Sequence, residues 1–232
     1  TRGVFGGGAS SVDVIQYLTI ATTANTQDFG DLTDGRYGLG ACSNGSRGIF
    51  MSGHNGSDAT ARVMDYITIA TTGDAADFGD MIALNYNGDA LNNKTRGVAG
   101  GMDGANVIEY ITMATTGNAT NFGDFGSGEV QQPGACDDTS DRGLFAGGGR
   151  PGGSNIMDYI TISSTGNTTD FGDLTVARYG VAAVSNGSRG VFAGGQGNKD
   201  VIDYVAIGTT GDASDFGDLT QGRHGSGDCS GD

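Results

Sequence analysis

Short apolar strings separated by glycine-rich breaks run the length of the 232-residue chain. In "VIDYVAI", from Val201, apolar side chains occupy both parities: Ile202 and Tyr204 on one, Val201, Val205 and Ile207 on the other. A strand with one wet face alternates apolar and polar residues, so this pattern predicts a strand packed on both faces. The flanking strings complete a four-strand unit. Strand a reads "RYGVAAVS" from Arg178, strand b "RGVFAGG" from Arg189, strand c the string at Val201, and strand d "DFGDL" from Asp215. Gly and Asn-Gly breaks between them suit tight antiparallel hairpins.

The unit recurs along the whole chain. Arg-Gly followed by apolar residues stands at Arg2, Arg47, Arg96, Arg142 and Arg189. A tyrosine inside the strand c string recurs at Tyr17, Tyr66, Tyr110, Tyr159 and Tyr204, and the phenylalanine of "FGD" at Phe29, Phe78, Phe122, Phe171 and Phe216. Tyr to Phe is 12 residues in all five copies. Phe to the next Arg is 18 residues in three copies and 20 in one, and joining the chain's ends gives 18 from Phe216 to Arg2. A linear solenoid needs atypical capping units at its ends, and this array has none. The expected fold is therefore all-β: a five-bladed β-propeller with four antiparallel strands per blade, closed by pairing the N- and C-terminal segments in one blade. The single domain 1–232 divides into blades at about 36–82, 85–125, 129–175, 178–219, and 223–232 plus 1–32.

Composition narrows the function classes. Glycine accounts for 45 residues, far above the usual share, yet the ordered apolar strings argue against disorder. A formal charge of −15 repels phosphate backbones and disfavours nucleic acid as a partner. Cys42, Cys136 and Cys229 sit at near-equivalent points of the repeat and read as small buried hydrophobes. No apolar run is long enough for a membrane span.

The residues resemble the kelch repeat. Strand b ends in a Gly pair at Gly6-Gly7, Gly100-Gly101, Gly147-Gly148 and Gly194-Gly195, strand c carries the tyrosines, and strand d an aromatic. Two departures are phenylalanine where kelch repeats usually carry tryptophan, and "FMSGHNG" in place of one Gly pair. The wording "YITIATTG…DFGDLT…R" is similar to repeat arrays of structural and tail-fibre proteins of marine bacteriophages. That resemblance implies a non-enzymatic structural or receptor-binding module (an adhesin) of a virion appendage, virion-borne or extracellular. The partners it implies are a host cell-surface glycan or protein, or other virion proteins. The alternatives are a multivalent lectin-like, carbohydrate-binding propeller and, behind it, a glycoside hydrolase.

Candidate chemistry falls into three groups. The repeated arginines read as structural, each pairing with the acid that precedes the tyrosine in four units (Asp65, Glu109, Asp158, Asp203; Gln16 in the fifth). The oxygen-rich c–d loops, with Asp31, Asp80, Asp124, Asp173 and Asp218 beyond them, are candidates for Ca²⁺, although ordinary turn chemistry explains such residues too. Ligand contacts are expected on the face carrying the b–c and d–a loops, because the b–c segment varies most in length. The longest such loops contribute His54, Asn55, Asp58 and Arg62, and Arg150 and Asn155; a divergent strand a adds Tyr86 and Asn87. "GGGRPG" from Gly147 matches G-x-G-x-x-G but leads into a strand and not a helix, so it cannot cradle a phosphate. No G-x-S-x-G elbow is present, and the two histidines are His54 and His224.

Overall fold

The structure is a computed structural model that describes residues 2–56, 62–83, 88–101, 106–126, 134–137, 141–149 and 152–225, with residues 134–137 as backbone only. Nineteen strands are seen among them. The N-terminal blade comprises β1 (Arg2–Gly6), β2 (Val14–Thr19) and β3 (Gln27–Asp31). The second holds β4 (Gly40–Ser43), β5 (Arg47–Met51), β6 (Val63–Thr68) and β7 (Ala76–Asp80). The third holds β8 (Asp89–Asn92), β9 (Arg96–Gly100), β10 (Val107–Thr112) and β11 (Thr120–Asp124). In the fourth are β12 (Gly134–Asp137), β13 (Arg142–Ala146), β14 (Ser154–Thr161) and β15 (Thr169–Arg178). The fifth consists of β16 (Ala182–Ser185), β17 (Arg189–Ala193), β18 (Val201–Ala206) and β19 (Ser214–Asp218).

Every sheet pairs its strands antiparallel in chain order. The arrangement is a five-bladed β-propeller, with four strands in four of the blades and three in the N-terminal blade among the described residues. Strand a of the N-terminal blade is expected from residues 223–230 and falls mostly outside the described residues, as does the pairing of the chain's ends. Strand a is shorter than expected in the fifth blade. Arg178 closes β15, and Tyr179-Gly180 turns the corner before β16 begins at Ala182. No helix among the described residues is long and apolar enough to cross a membrane.

The apolar core lies between blades. Four clusters of buried residues each straddle one boundary. Ile15, Phe29 and Leu32 of the N-terminal blade meet Phe50 and Ile67 of the second. Met64 and Phe78 meet Ile111 and Met113 across the next boundary. Phe122 and Phe125 pack with Phe145 and Ile160, and Met157 and Phe171 with Phe192 and Val205. Cys42 is buried in the second of these clusters.

The phenylalanine reaches the core through a register shift. Ile15 pairs with Gly30 but Gln16 pairs with Asp28, so Phe29 is the extra residue of a β-bulge. The same skip occurs at Phe78, Phe122, Phe171 and Phe216. The following glycine then takes a positive φ, +142° at Gly172, where a Cβ would lie 2.5 Å from the backbone of Gly211 in the next blade. Glycine is required there both for its φ and for the closeness of the neighbouring chain.

Candidate functional site

Residues shared by all units form the boundary contacts. Each strand b arginine lies over the tyrosine of its own blade, with the guanidinium carbon 4.1–4.6 Å from the ring centroid. Each tyrosine in turn meets its phenylalanine edge-to-face, at 5.8–6.1 Å between centroids. Four of the arginines also donate to a strand c carbonyl of the next blade. These bonds run from Arg2 to Ile69, Arg47 to Met113, Arg96 to Ile162 and Arg142 to Ile207, at 2.7–2.9 Å.

The expected pair of this arginine with the acid before the tyrosine is not formed. Strand parity is the reason. Arg47 is in register with Thr68, which places it diagonally beside Tyr66; Asp65 is in register with Phe50 and points to the opposite face. The acid instead receives the exit segment of the preceding blade. Asp65 accepts from the amide and hydroxyl of Thr33 and from Arg36 Nη1 at 2.9 Å. Asp203 holds Thr175 and Arg178 in the same way, with Arg178 Nη2 at 2.8 Å, while Glu109 accepts from the amides of Ile82 and Ala83. Both ion pairs are fully buried. Burial pushes the Arg178 guanidinium below its ordinary value, and Asp203 opposes that shift.

The acids at the end of strand d are not gathered into a metal-binding group. Among the described residues no group of three His, Cys, Asp or Glu side chains is placed to hold a metal ion. The c–d loop oxygens serve the boundary instead, as acceptors for a neighbouring backbone amide. Asp74 accepts from the amide of Asp31, Asn118 from Asp80, Asn167 from Asp124 and Asp212 from Asp173, at 3.0–3.1 Å. Loss of water, and then the charges of Asp13, Asp74 and Asp28, push the Asp31 carboxyl above its ordinary value. Asp218 ends β19 and is exposed.

The loop face has a centre at the second blade. Tyr37, on the d–a segment, and His54, on the b–c loop, exchange backbone hydrogen bonds of 2.9 and 3.1 Å, and their rings lie 5.9 Å apart. Gly56 donates its amide to His54 Nδ1. Asn55 is exposed beside them, and Arg62 is exposed just ahead of β6. Close in sequence to this pair, one residue before Tyr37 and two before His54, Arg36 Nη2 and Ser52 Oγ are buried without a hydrogen-bond partner. The fifth blade repeats the geometry with other side chains. Gln196 donates its amide to the Tyr179 carbonyl, and His224 Nδ1 lies 3.1 Å from Asn198 Oδ1. Both histidines of the chain therefore lie on this face. Asn155, expected on a loop, is half-buried within β14. Asp58, Tyr86, Asn87 and Arg150 lie outside the described residues.

Sequence reasoning singled out His54 but not Tyr37. The signal was present, because Arg36-Tyr37, Arg178-Tyr179 and Arg223-His224 share one repeat position, and the first two arginines turn inward. A groove of about 230 Å³ also opens at the boundary of the third and fourth blades. Tyr159, Thr161, Ser164, Thr165 and Asn167 contribute to its lining. The groove is polar and has counterparts in sequence at the other boundaries.

No protein-family profile matches the chain, and no curated protein is similar to it in sequence. The fold, by contrast, is widely shared. The chain superposes on the solved structure of YjhT with a TM-score of 0.78, at 11% sequence identity, over 97% of this chain and 83% of that one. At that identity the likeness establishes the propeller and nothing further.

Proposed function

We propose that the protein is a non-enzymatic receptor-binding or structural module of the kind carried on phage virion appendages. Its partner is a host-surface glycan or protein, met through the face that bears the b–c and d–a loops. The observation carrying this reading is a division of labour. The charged and aromatic residues common to all units hold blade to blade, whereas Tyr37, His54, Asn55 and Arg62 stand on the face where units differ. An exposed aromatic ring with an imidazole and amides beside it suits sugar recognition, stacking on a CH face and hydrogen-bonding hydroxyls. The kelch-like and phage-like wording of the repeat supports the same reading.

Binding of the purified chain to host cells and to immobilised glycans tests it. Tyr37→Ala and His54→Ala are each expected to weaken binding about tenfold, or by about 1.4 kcal/mol, with the melting temperature little changed. Binding that survives both substitutions, or release of free sugar from a bound glycan, overturns the proposal. A second reading, a multivalent lectin, is favoured by the groove between the third and fourth blades, whose lining recurs in the repeat. It predicts a stoichiometry near five ligands per chain and sensitivity to substitution of Tyr159, not of Tyr37.

A further inference from the structure

Four blade boundaries share the arginine-to-carbonyl bond and the bond to the bulge phenylalanine carbonyl, two of them add a buried arginine–aspartate pair, and the residues for a fifth set stand without it. Between the fourth and fifth blades, Arg142 donates to the Ile207 carbonyl, the Phe171 carbonyl accepts from Gly211, the Asp173 amide reaches Asp212, and Asp203 holds Arg178. On the far side of the fifth blade the equivalent residues are Arg189, Phe216, Asp218 and Arg223. None of the corresponding bonds is formed among the described residues. Phe216 is 53% exposed, where Phe29, Phe78, Phe122 and Phe171 are at most 3% exposed. The facing edge of the N-terminal blade is bare as well. Phe5 is 57% and Ile20 60% exposed, although their counterparts Phe50 and Ile207 are buried.

Charge shows that these two edges are poor partners for each other. Arg36 and Arg178, at the same repeat position as Arg223, are buried on the carboxylates of Asp65 and Asp203. Arg223 is exposed, and the only hydrogen bond of its guanidinium among the described residues is a long one to the carbonyl of Gln221. The N-terminal blade carries Gln16 where the others carry an acid, so it has no carboxylate for Arg223. A second copy of this chain presents the same Gln16 edge. The occupant that satisfies Arg223 is a blade with an acid at that position, and all four such blades here already hold a neighbour on that side.

We propose that the exposed face of β17–β19 seats a further repeat unit of this same pattern, with Asp or Glu immediately before its strand c tyrosine. The unit would lie between the fifth and N-terminal blades. Its strand c carbonyl would accept from Arg189 and its c–d loop amide would donate to the Phe216 carbonyl. Its own strand b arginine would reach the Ile20 carbonyl.

The chain contains no tryptophan, so Phe216→Trp introduces a single fluorescent reporter, with Phe171→Trp as the buried control. The test compares the 232-residue chain with one extended after Asp232 by a copy of residues 188–232, which supplies the aspartate of Asp203. In the unextended chain, the Phe216→Trp reporter is expected to emit as a solvent-exposed indole and to be quenched freely by acrylamide. In the extended chain its emission should shift to the blue and quenching should fall several-fold, toward the Phe171→Trp control. Asp203→Gln in the appended copy alone, or Arg223→Ala, should reverse part of the shift. Amide hydrogen exchange at Phe216 to Asp218 gives the same comparison with no substitution in the chain. Protection already present in the unextended monomer means the ring closes on itself and overturns the proposal. So does protection that arises only on dimerisation, or continued exposure in the extended chain.

Discussion

The boundary between the fourth and fifth blades and the edge on the far side of the fifth blade carry the same sequence pattern in opposite states. At the first, Phe171 is sealed against Phe192 and Val205. At the second, Phe216 makes the same edge-to-face contact with its tyrosine and lies open. Arg142 and Arg189 likewise sit over their tyrosines at 4.4 and 4.6 Å, yet only Arg142 reaches a carbonyl of the next blade. The contacts inside a blade therefore form without a neighbour. Burial comes from the neighbour, and with it most of the hydrophobic stabilisation.

The largest difference should come from the acid. Asp203→Ala leaves Arg178 buried and uncompensated, a loss of about 3–5 kcal/mol. Gln16→Ala, at the same repeat position on the bare edge, should change stability by no more than about 0.5 kcal/mol, as for an ordinary surface substitution. Chemical denaturation of the two variants measures both, and equal losses would mean that the edges do not differ.

A smaller contrast is expected at the bulge glycines. Gly172→Ala meets both a positive φ and the backbone of Gly211, whereas a Cβ on Gly217 at φ +136° has nothing within 4 Å. Each substitution carries backbone strain on the order of 1–3 kcal/mol. The clash adds about 1–3 kcal/mol at Gly172 alone, so the gap between the two melting shifts isolates the contribution of the neighbouring blade.

The smallest effect is electrostatic and separates two aspartates at sealed boundaries. Burial raises the Asp141 carboxyl, but hydrogen bonds from Ser163 and Asn93, aided by the Arg96 charge, outweigh it and hold the group below its ordinary value. A lowered carboxyl contributes stability above its unfolded value of 3.8, and that contribution is lost as pH falls through the folded value. Asp141→Asn should therefore lower the melting temperature at neutral pH and flatten the acid limb. Asp31 has the opposite sign. Its raised carboxyl opposes folding when ionised, so Asp31→Asn should raise the melting temperature at neutral pH, with the gain vanishing below pH 3.8. Melting curves from acid to neutral pH distinguish the two.

Much of the frame was legible from spacing alone, because a repeat displays its strands several times over. The constant interval from tyrosine to phenylalanine placed strands c and d in all five units, and the Arg-Gly openings placed strand b. The bulge was not legible, since a register shift depends on a glycine dihedral angle that residue identity permits but does not dictate. The arginine's partner was misread although parity held the answer. An acid adjacent to the tyrosine cannot share the tyrosine's face, so an arginine stacked on that ring cannot reach it. The loop face was legible only as a region of varying length. Pairing Tyr37 with His54 required two segments 17 residues apart to meet across a corner, and nothing in either segment names the other.

The arginine-to-carbonyl bonds all run in one sense, from each unit to its successor. A unit thus carries a donor for the unit after it and an acceptor for the unit before it, so units that carry the acid before their tyrosine can follow one another in any order. Duplication or loss of a whole unit in the gene preserves a working joint at the splice. The array can change length by recombination while its loops diversify independently.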